Sequence, residues 1–266
     1  LFIRAKIKNY KIRNKLNSKK ISYGPHERQY LLYLLPEKEK RNSTIFFIHG
    51  GGWNKGNPEF FKFIAYYFAR HGFSTIMPAY RLVPEFRFPS QENDIFAACK
   101  KSVAEIKIEK NNLIIVGQSA GAQLGALLLL NKRKQTSYEI AQDDFTGFLS
   151  ISGPLDLSLP CVSKRAEKLL SGFVPTPDKR KKANPINYVE EELKTPVFCI
   201  HGAKDPLVPK KHSLRFIEEV KSTSKTEVEL EIKKSRHHSD LVELFLDEEE
   251  SEAMRDWLIR IDKNQI

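Results

Sequence analysis

Short apolar runs recur along the chain, each closed by glycine, proline or polar residues, and helical patterns lie between them. Gln29–Leu35, Thr44–His49, Ser74–Pro78, Asn112–Val116, Phe145–Ile151, Pro196–Ile200 and Glu227–Ile232 read as strands. Several are continuously apolar, as strands buried on both faces of a parallel sheet are. Phe60–His71 gathers aromatic residues and Ile64 on one face and stops at Gly72, a residue suited to ending a helix. Asn93–Ile106, Ala120–Leu130, Lys211–Val220 and Glu252–Ile261 also have helical spacing. The alternation predicts an open, mostly parallel sheet with helices on both faces.

Two stretches break the rhythm. Residues 154–195 hold Pro154, Pro160, Pro175, Pro177 and Pro185, the basic run Lys179–Lys182 and one short helical segment, Lys164–Leu170. A connection this long between strands is expected to be a lid or an inserted subdomain. Residues 1–28 form the other, a basic arm or cap helix ahead of a single domain over 29–266.

Charge sharpens the reading of that arm. The 266 residues carry 44 Lys and Arg against 33 Asp and Glu, a net charge of +11. Eight of the basic residues (Arg4, Lys6, Lys8, Lys11, Arg13, Lys15, Lys19, Lys20) fall within the first 20 positions, which contain no acid. The remainder has 44 − 8 = 36 basic and 33 acidic residues, a net of +3. A nearly neutral body argues against nucleic-acid binding, which needs a basic face on the folded part. Leu1, Phe2, Ile3, Ile7, Tyr10, Ile12 and Leu16 are interleaved with the cations. That pattern suits contact with an anionic membrane surface through residues 1–20, and equally a helix capping a site with its cations in water. No run reaches the roughly 18 apolar residues that a bilayer requires. The chain starts at Leu1 and not at Met, which leaves room for an upstream signal peptide or anchor, so cytoplasmic and membrane-associated locations both fit. Cys99, Cys161 and Cys199 have neither metal-ligand spacing nor an even count for a disulfide framework. The sequence does not specify an oligomeric state.

The candidate chemistry lies at strand ends. Gly117-Gln118-Ser119-Ala120-Gly121 fits Gly-x-Ser-x-Gly, with a strand before it and a helix after it. In that setting a serine is presented on a sharp turn with its hydroxyl exposed. The alternative is an ordinary strand-to-helix turn with a capping serine. His49-Gly50-Gly51-Gly52-Trp53 follows another strand, and three glycines leave backbone N–H groups open to an oxyanion. No Gly-Lys-Ser/Thr follows, so this is not a phosphate-binding P-loop. Trp53, Asn54, Gly56 and Pro58 separate it from the next helix, unlike a dinucleotide fingerprint. Asp205 sits just after the sixth predicted strand, and His237 and His238 just after the seventh. A serine needs an imidazole to take its proton, and the imidazole needs a carboxylate to hold its tautomer. Serine, acid, histidine is the chain order of α/β-hydrolases. Asp240 and Asp156 are rival acids, the first too close in sequence to the histidine and the second after an earlier strand. The acids of Glu243–Glu250 read as a solvated face.

The chain resembles an α/β-hydrolase of the hormone-sensitive-lipase-like and related small esterase group. The resemblance is carried by His49-Gly50-Gly51-Gly52-Trp53, Tyr80-Arg81-Leu82-Val83-Pro84, Phe88-Pro89 with Asp94, Gly117-Gln118-Ser119-Ala120-Gly121, Asn184-Pro185-Ile186-Asn187-Tyr188 and Asp205-Pro206-Leu207-Val208. It implies the α/β-hydrolase fold, with residues 154–195 as a lid or cap insertion. It implies Ser119 as nucleophile, His238 as base, Asp205 as orienting acid, and the N–H groups of Gly51, Gly52 and Ala120 as oxyanion donors. No metal or organic cofactor is required. Trp53 and Tyr80, and also Phe88, are candidates to line the substrate pocket, with packing beneath the site as the alternative. His49 and His201 are expected to brace loops. The implied activity is hydrolysis of short acyl esters, with small-molecule or carbohydrate esters, acetylated sugars and polysaccharides included, as substrates. Two departures matter. Gln118 stands where the lipase-like branch usually has Asp, and His238 is followed by Ser239-Asp240-Leu241-Val242-Glu243. That tail is similar to arylformamidases and polysaccharide esterases, so an amide or formamide hydrolase is a second reading. A non-catalytic binding module of the same fold is a third.

Overall fold

The apolar runs assemble into one sheet. In this computed structural model, which describes residues 2–13, 15–38, 41–106, 112–247 and 251–263, the strands are β1 (Asn17–Ser22), β2 (Tyr30–Leu35), β3 (Thr44–Ile48), β4 (Ser74–Pro78), β5 (Leu113–Gln118), β6 (Phe145–Ile151), β7 (Val197–Gly202) and β8 (Val228–Lys233). Their order is β1-β2-β4-β3-β5-β6-β7-β8. β2 pairs antiparallel with both β1 and β4, and every neighbouring pair from β4 through β8 is parallel. The helices are α1 (Phe2–Ile12), α2 (Lys62–Arg70), α3 (Ser90–Ile106), α4 (Ala120–Leu130), α5 (Lys132–Tyr138), α6 (Lys164–Phe173), α7 (Pro177–Lys182), α8 (Lys211–Thr223), α9 (Asp240–Asp247) and α10 (Glu252–Lys263).

Side chains alternate across a strand, and here both faces are covered. Phe46, Ile48, Ile115, Phe148 and Cys199 enter one core, with Phe96 of α3, Leu124 and Leu127 of α4 and Phe216 of α8. Ile45, Phe47, Ile114, Val116, Leu149 and Phe198 enter the other, with Phe63 and Phe68 of α2, Phe245 of α9 and Trp257 of α10. From β3 to β7 nearly every residue is buried, which is why these central strands have no polar stripe. α4 is buried along its whole length and is accordingly apolar on every side except Gln123. α2 ends as its sequence suggests. Gly72 takes φ +86°, its N–H reaches the Ala69 carbonyl, and the Phe73 N–H reaches the Phe68 carbonyl. These two bonds close the helix with a left-handed residue that only glycine adopts freely.

The expectation of a separate arm over 1–28 needs correction. Asn17–Ser22 is one of the two outer strands of the sheet and pairs along its length with β2. Its sequence, Asn-Ser-Lys-Lys-Ile-Ser, hid it, because only Ile21 is buried and the pairing is made by backbone groups. Exposed lysines on such an edge also discourage pairing with another chain. The arm's helix, α1, buries Ala5 and Ile12 and lies against α2 and α9. Its Asn9 amide donates to the carbonyls of Glu59 (3.1 Å) and Phe60 (2.9 Å), and Arg4 pairs with Glu243 at 3.0 Å. Ile3, Ile7 and Tyr10 remain exposed. Leu1 lies outside the described residues, as do positions 248–250 of the acidic run; positions 240–247 form α9. No described helix is long and apolar enough to cross a membrane.

Candidate active site

The parallel strands all end on one side, and the residues singled out above sit there, in the crevice beyond the carboxyl ends of a parallel sheet. Ser119 follows β5, the glycine loop follows β3, Asp205 follows β7 and His238 follows β8.

Ser119 adopts φ 53°, ψ −120°, a region that L side chains rarely enter and that costs on the order of 1–3 kcal/mol. The surroundings enforce it. A Cβ on Gly121 would overlap the carbonyls of Ile48 and His49, and one on Gly117 would overlap the backbone of Ala122. The Ser119 N–H is tied to the Ile151 carbonyl at 2.8 Å. Ser119 stands at the N-cap of α4, yet its side chain makes no capping bond. Its Oγ lies instead 2.8 Å from His238 Nε2. The capping-serine alternative therefore does not describe this turn.

His238 Nδ1 lies 2.6 Å from Asp205 Oδ2. An ionised carboxylate only accepts, so Nδ1 carries the proton and Nε2 offers its lone pair to the Ser119 hydroxyl. Asp205 Oδ1 accepts the backbone N–H groups of Leu207 and Val208, each at 2.9 Å. Burial alone would raise the Asp205 pKa. Hydrogen bonds from His201, His238 and the Val208 backbone overcome that and hold the carboxyl well below its usual range. His201 braces this turn, with Nε2 2.7 Å from the Val208 carbonyl and 3.4 Å from Asp205 Oδ2, and Nδ1 2.8 Å from Ser213 Oγ. The rival acids have other work. Asp240 accepts from the His237 N–H (2.7 Å) and ring (3.0 Å), closing the turn that opens α9. Asp156 binds Ser158 and pairs with Arg215 at 3.2 Å. His237 is exposed and engages Asp240, leaving His238 as the histidine at the serine.

The glycine loop borders the same cavity as Ser119 and His238, through Gly50, Gly51 and Gly52. Gly51 and Gly52 take φ +126° and +60°. Beneath them His49 is fully enclosed, its Nδ1 2.7 Å from the Gly50 carbonyl and its ring stacked on Tyr80 at 4.4 Å. The Ala120 N–H belongs to the first turn of α4, where helix N–H groups point out of the helix and favour negative charge. Together these groups can bind an oxyanion forming on Ser119, and the relay can strip the Ser119 proton: the two requirements of acyl transfer. Among the described residues, no cluster of His, Cys, Asp or Glu is arranged to hold a metal.

The two aromatic candidates separate. Trp53 borders an apolar cavity beside Ser119, stacks on Phe173 at 4.3 Å and donates to Gln123 Oε1 at 3.0 Å. Tyr80 borders neither of the two cavities at Ser119. It is completely buried and donates to the His49 carbonyl at 2.9 Å, so its place in the substrate pocket is withdrawn. Phe88 likewise packs beneath, edge-on to Phe173. Arg81 meets Asp94 through Nε (3.0 Å) and Nη2 (2.8 Å), which braces the loop after β4. Residues 154–195 supply most of the apolar wall, including Leu157, Leu159, Val162 and Leu169. Their clustering between prolines was the available signal. Lys6, Lys55 and Arg165 also border the site and carried no motif.

Two buried histidines make the fold acid-sensitive. Burial lowers His49 from 6.5 to about 3 and His212 to about 4, so both are neutral when folded. An unfolded chain protonates them near their ordinary pKa. Their stabilising effect is complete above pH 6.5 and is lost as pH falls toward 4 and then 3. Going from pH 7.5 to pH 5 is expected to cost roughly 2 kcal/mol per histidine. Urea unfolding midpoints at the two pH values measure this, and equal midpoints would refute it.

Comparisons with known proteins agree with this architecture. The chain is 26% identical over 260 residues to the esterase LipQ of Mycobacterium tuberculosis, covering 90% of this chain and 61% of LipQ. It is 24% identical over 251 residues to the esterase LipC of the same organism, covering 87% of this chain and 62% of LipC. The chain thus spans about three fifths of the length of these relatives. The hyperthermophilic esterase from Pyrobaculum calidifontis superposes with a TM-score of 0.79 at 19% identity, covering 98% of this chain and 91% of that one, a likeness of fold. Residues 31–220 match the BD-FAE family, and with the strand order and the serine turn already described, the chain belongs to that family, of the α/β-hydrolase type.

Proposed function

We propose that this protein is a serine carboxylic ester hydrolase for short acyl groups, with acetyl esters of sugars or polysaccharides within its range. One observation carries the reading: the continuous relay from Ser119 Oγ through His238 to Asp205, opening onto the cavity that the glycine loop borders. Ser119 Oγ attacks the ester carbonyl as its proton passes to His238 Nε2. The tetrahedral oxyanion accepts from the N–H groups of Gly51, Gly52 and Ala120. The carbon–oxygen bond to the alcohol breaks, and the alcohol oxygen takes the proton from His238. Water then attacks the acyl-enzyme by the same route and frees Ser119. A fluorophosphonate probe tests the nucleophile. Labelling of the wild type and none of Ser119→Ala is expected; equal labelling of the two would refute it.

The apolar cavity beside Ser119 supports the short-acyl reading. Its volume is about 60 Å³, small beside the about 780 Å³ of the neighbouring cavity that the glycine loop borders. Leu157, Leu170 and Val208 are among its walls. In a series of p-nitrophenyl esters, kcat/KM is expected to be highest for acetate to butyrate. It should fall about tenfold or more by octanoate, since overfilling a packed site costs about 1–3 kcal/mol. A rate rising through octanoate would refute the short-acyl reading. The formamide alternative came from the tail after His238. Asp240 in that tail closes the His237 turn, so the tail has a structural account and no observation favours the second reading.

A further inference from the structure

Two compartments meet at Ser119, and their walls differ in kind. The small one is apolar and is bordered by Gly52, Trp53 and the 154–170 segment. The large one, about 780 Å³, is bordered by the glycine loop, His238, Ser239 and one side of α1. The reaction decides which half of an ester goes where. The departing alcohol oxygen must take its proton from His238 Nε2, so the alcohol lies on the histidine side. His238 borders the large compartment and is not part of the wall of the small one. The acyl group therefore fills the small compartment and the alcohol the large one.

The large compartment is lined by unbalanced positive charge. Lys6 comes from α1, Lys55 from the glycine loop and Arg165 from α6. Past Asn54, Arg165 and Leu169 it continues into a surface cleft of about 730 Å³ that adds Arg87 and Lys168. Among the described residues, Glu59 is the one carboxylate bordering either space, and it already accepts from the Tyr30 hydroxyl at 2.7 Å. None of the five cations has a carboxylate partner among the described residues. They come from four separate stretches of chain, so no single helix face accounts for their convergence. A cleft lined by one sign of charge focuses the field and concentrates ligands of the opposite sign.

We propose that the alcohol portion of the substrate is anionic: the natural substrate class is a short acyl ester of an alcohol bearing carboxylate or phosphate charge. This rests on the ester-hydrolase reading and narrows it. Lys6, Lys55 and Arg165 would set specificity from outside the relay, and Arg87 and Lys168 would extend it along a longer acidic alcohol.

The test compares acetyl esters of four phenols: phenyl acetate, 4-acetoxybenzoate, 4-acetoxyphenyl phosphate and a 4-acetoxyphenyl trimethylammonium salt. For each charged ester, kcat/KM is divided by the phenyl acetate value, in the wild type and in Lys6→Gln/Lys55→Gln/Arg165→Gln. Comparing the two proteins cancels the intrinsic reactivity of each ester. The anionic ratios are expected to fall about tenfold in the triple variant and the cationic ratio to rise. In the wild type, raising NaCl from 0.05 to 0.5 M should lower the anionic ratios, because salt screens exposed charge. Carboxylate and phosphate arms show which anion is preferred. Ratios equal in both proteins and insensitive to salt would overturn the proposal while leaving the ester-hydrolase reading intact. Should the triple variant fail to fold, the salt response of the wild type decides alone. A wild type that hydrolyses none of the four esters overturns both.

Discussion

Ser119→Ala is expected to lower kcat/KM for p-nitrophenyl acetate by about 10⁴–10⁶-fold, on the scale of nucleophile removal in other serine hydrolases. The expectation rests on geometry. Ser119 Oγ is the hydroxyl 2.8 Å from His238 Nε2, and the turn that presents it is rigid. Gly117 and Gly121 admit no Cβ, and the Ser119 N–H is held by the Ile151 carbonyl, so alanine inherits the same turn. Alanine and serine meet the same steric penalty at φ 53°, so the loss should appear in turnover and not in folding. The oxyanion donors remain, and they account for residual catalysis over water of about 10³-fold. Circular dichroism and a urea midpoint alongside the rates separate the two effects. An alanine variant within tenfold of the wild type would mean that some other group attacks the ester.

Asp205→Asn is expected to cost about 10⁴-fold in kcat, comparable to the same exchange in a protease triad. Here the surroundings of Asp205 dictate how the amide would turn. Oδ1 accepts from two backbone N–H groups, Leu207 and Val208, so the amide oxygen must stay there. The amide nitrogen then faces His238 Nδ1, where Oδ2 now accepts at 2.6 Å. An N–H aimed at Nδ1 forces that nitrogen to accept and puts the ring proton on Nε2. A protonated Nε2 cannot take the Ser119 proton. The loss is therefore one of tautomer as well as charge, and Asn should be almost as damaging as Ala. Because Asp205 is held well below the ordinary carboxyl range, its own protonation should not shape the activity profile between pH 5 and 9. Less than tenfold loss in a folded Asp205→Asn would remove the acid from this role.

Much of the architecture was legible where burial leaves the sequence little choice. Ser74–Pro78, Phe145–Ile151 and Ala120–Leu130 have the expected boundaries, because each is an apolar run with firm punctuation at both ends. Elements that depend on context were not legible. β1 is polar at five of its six positions and exists because β2 offers it a backbone edge. α5 and α7 are short and strongly basic, and α9 is held by its packing on β7 and α2. At the site, Ser119, Asp205 and the glycine loop announced themselves through local chemistry, and His238 was separated from His237 by resemblance. Tyr80 was misplaced because a strand-end tyrosine reads the same whether it faces a pocket or lies under one. The cationic lining escaped notice because Lys6, Lys55 and Arg165 share no spacing and converge only in three dimensions.

The relay draws on elements of unequal tenacity. Ser119 is anchored to β5 and α4, both enclosed at the middle of the sheet. His238 follows β8, the last strand, whose residues are all half-exposed. Margins open at lower free energy than centres. On warming, the base should drift from the nucleophile while most of the sheet is intact, so inactivation should precede the loss of β-structure. Turnover would then report on the outermost strand, and a cross-link or ligand that pins β8 would lengthen working life with little change in the melting temperature.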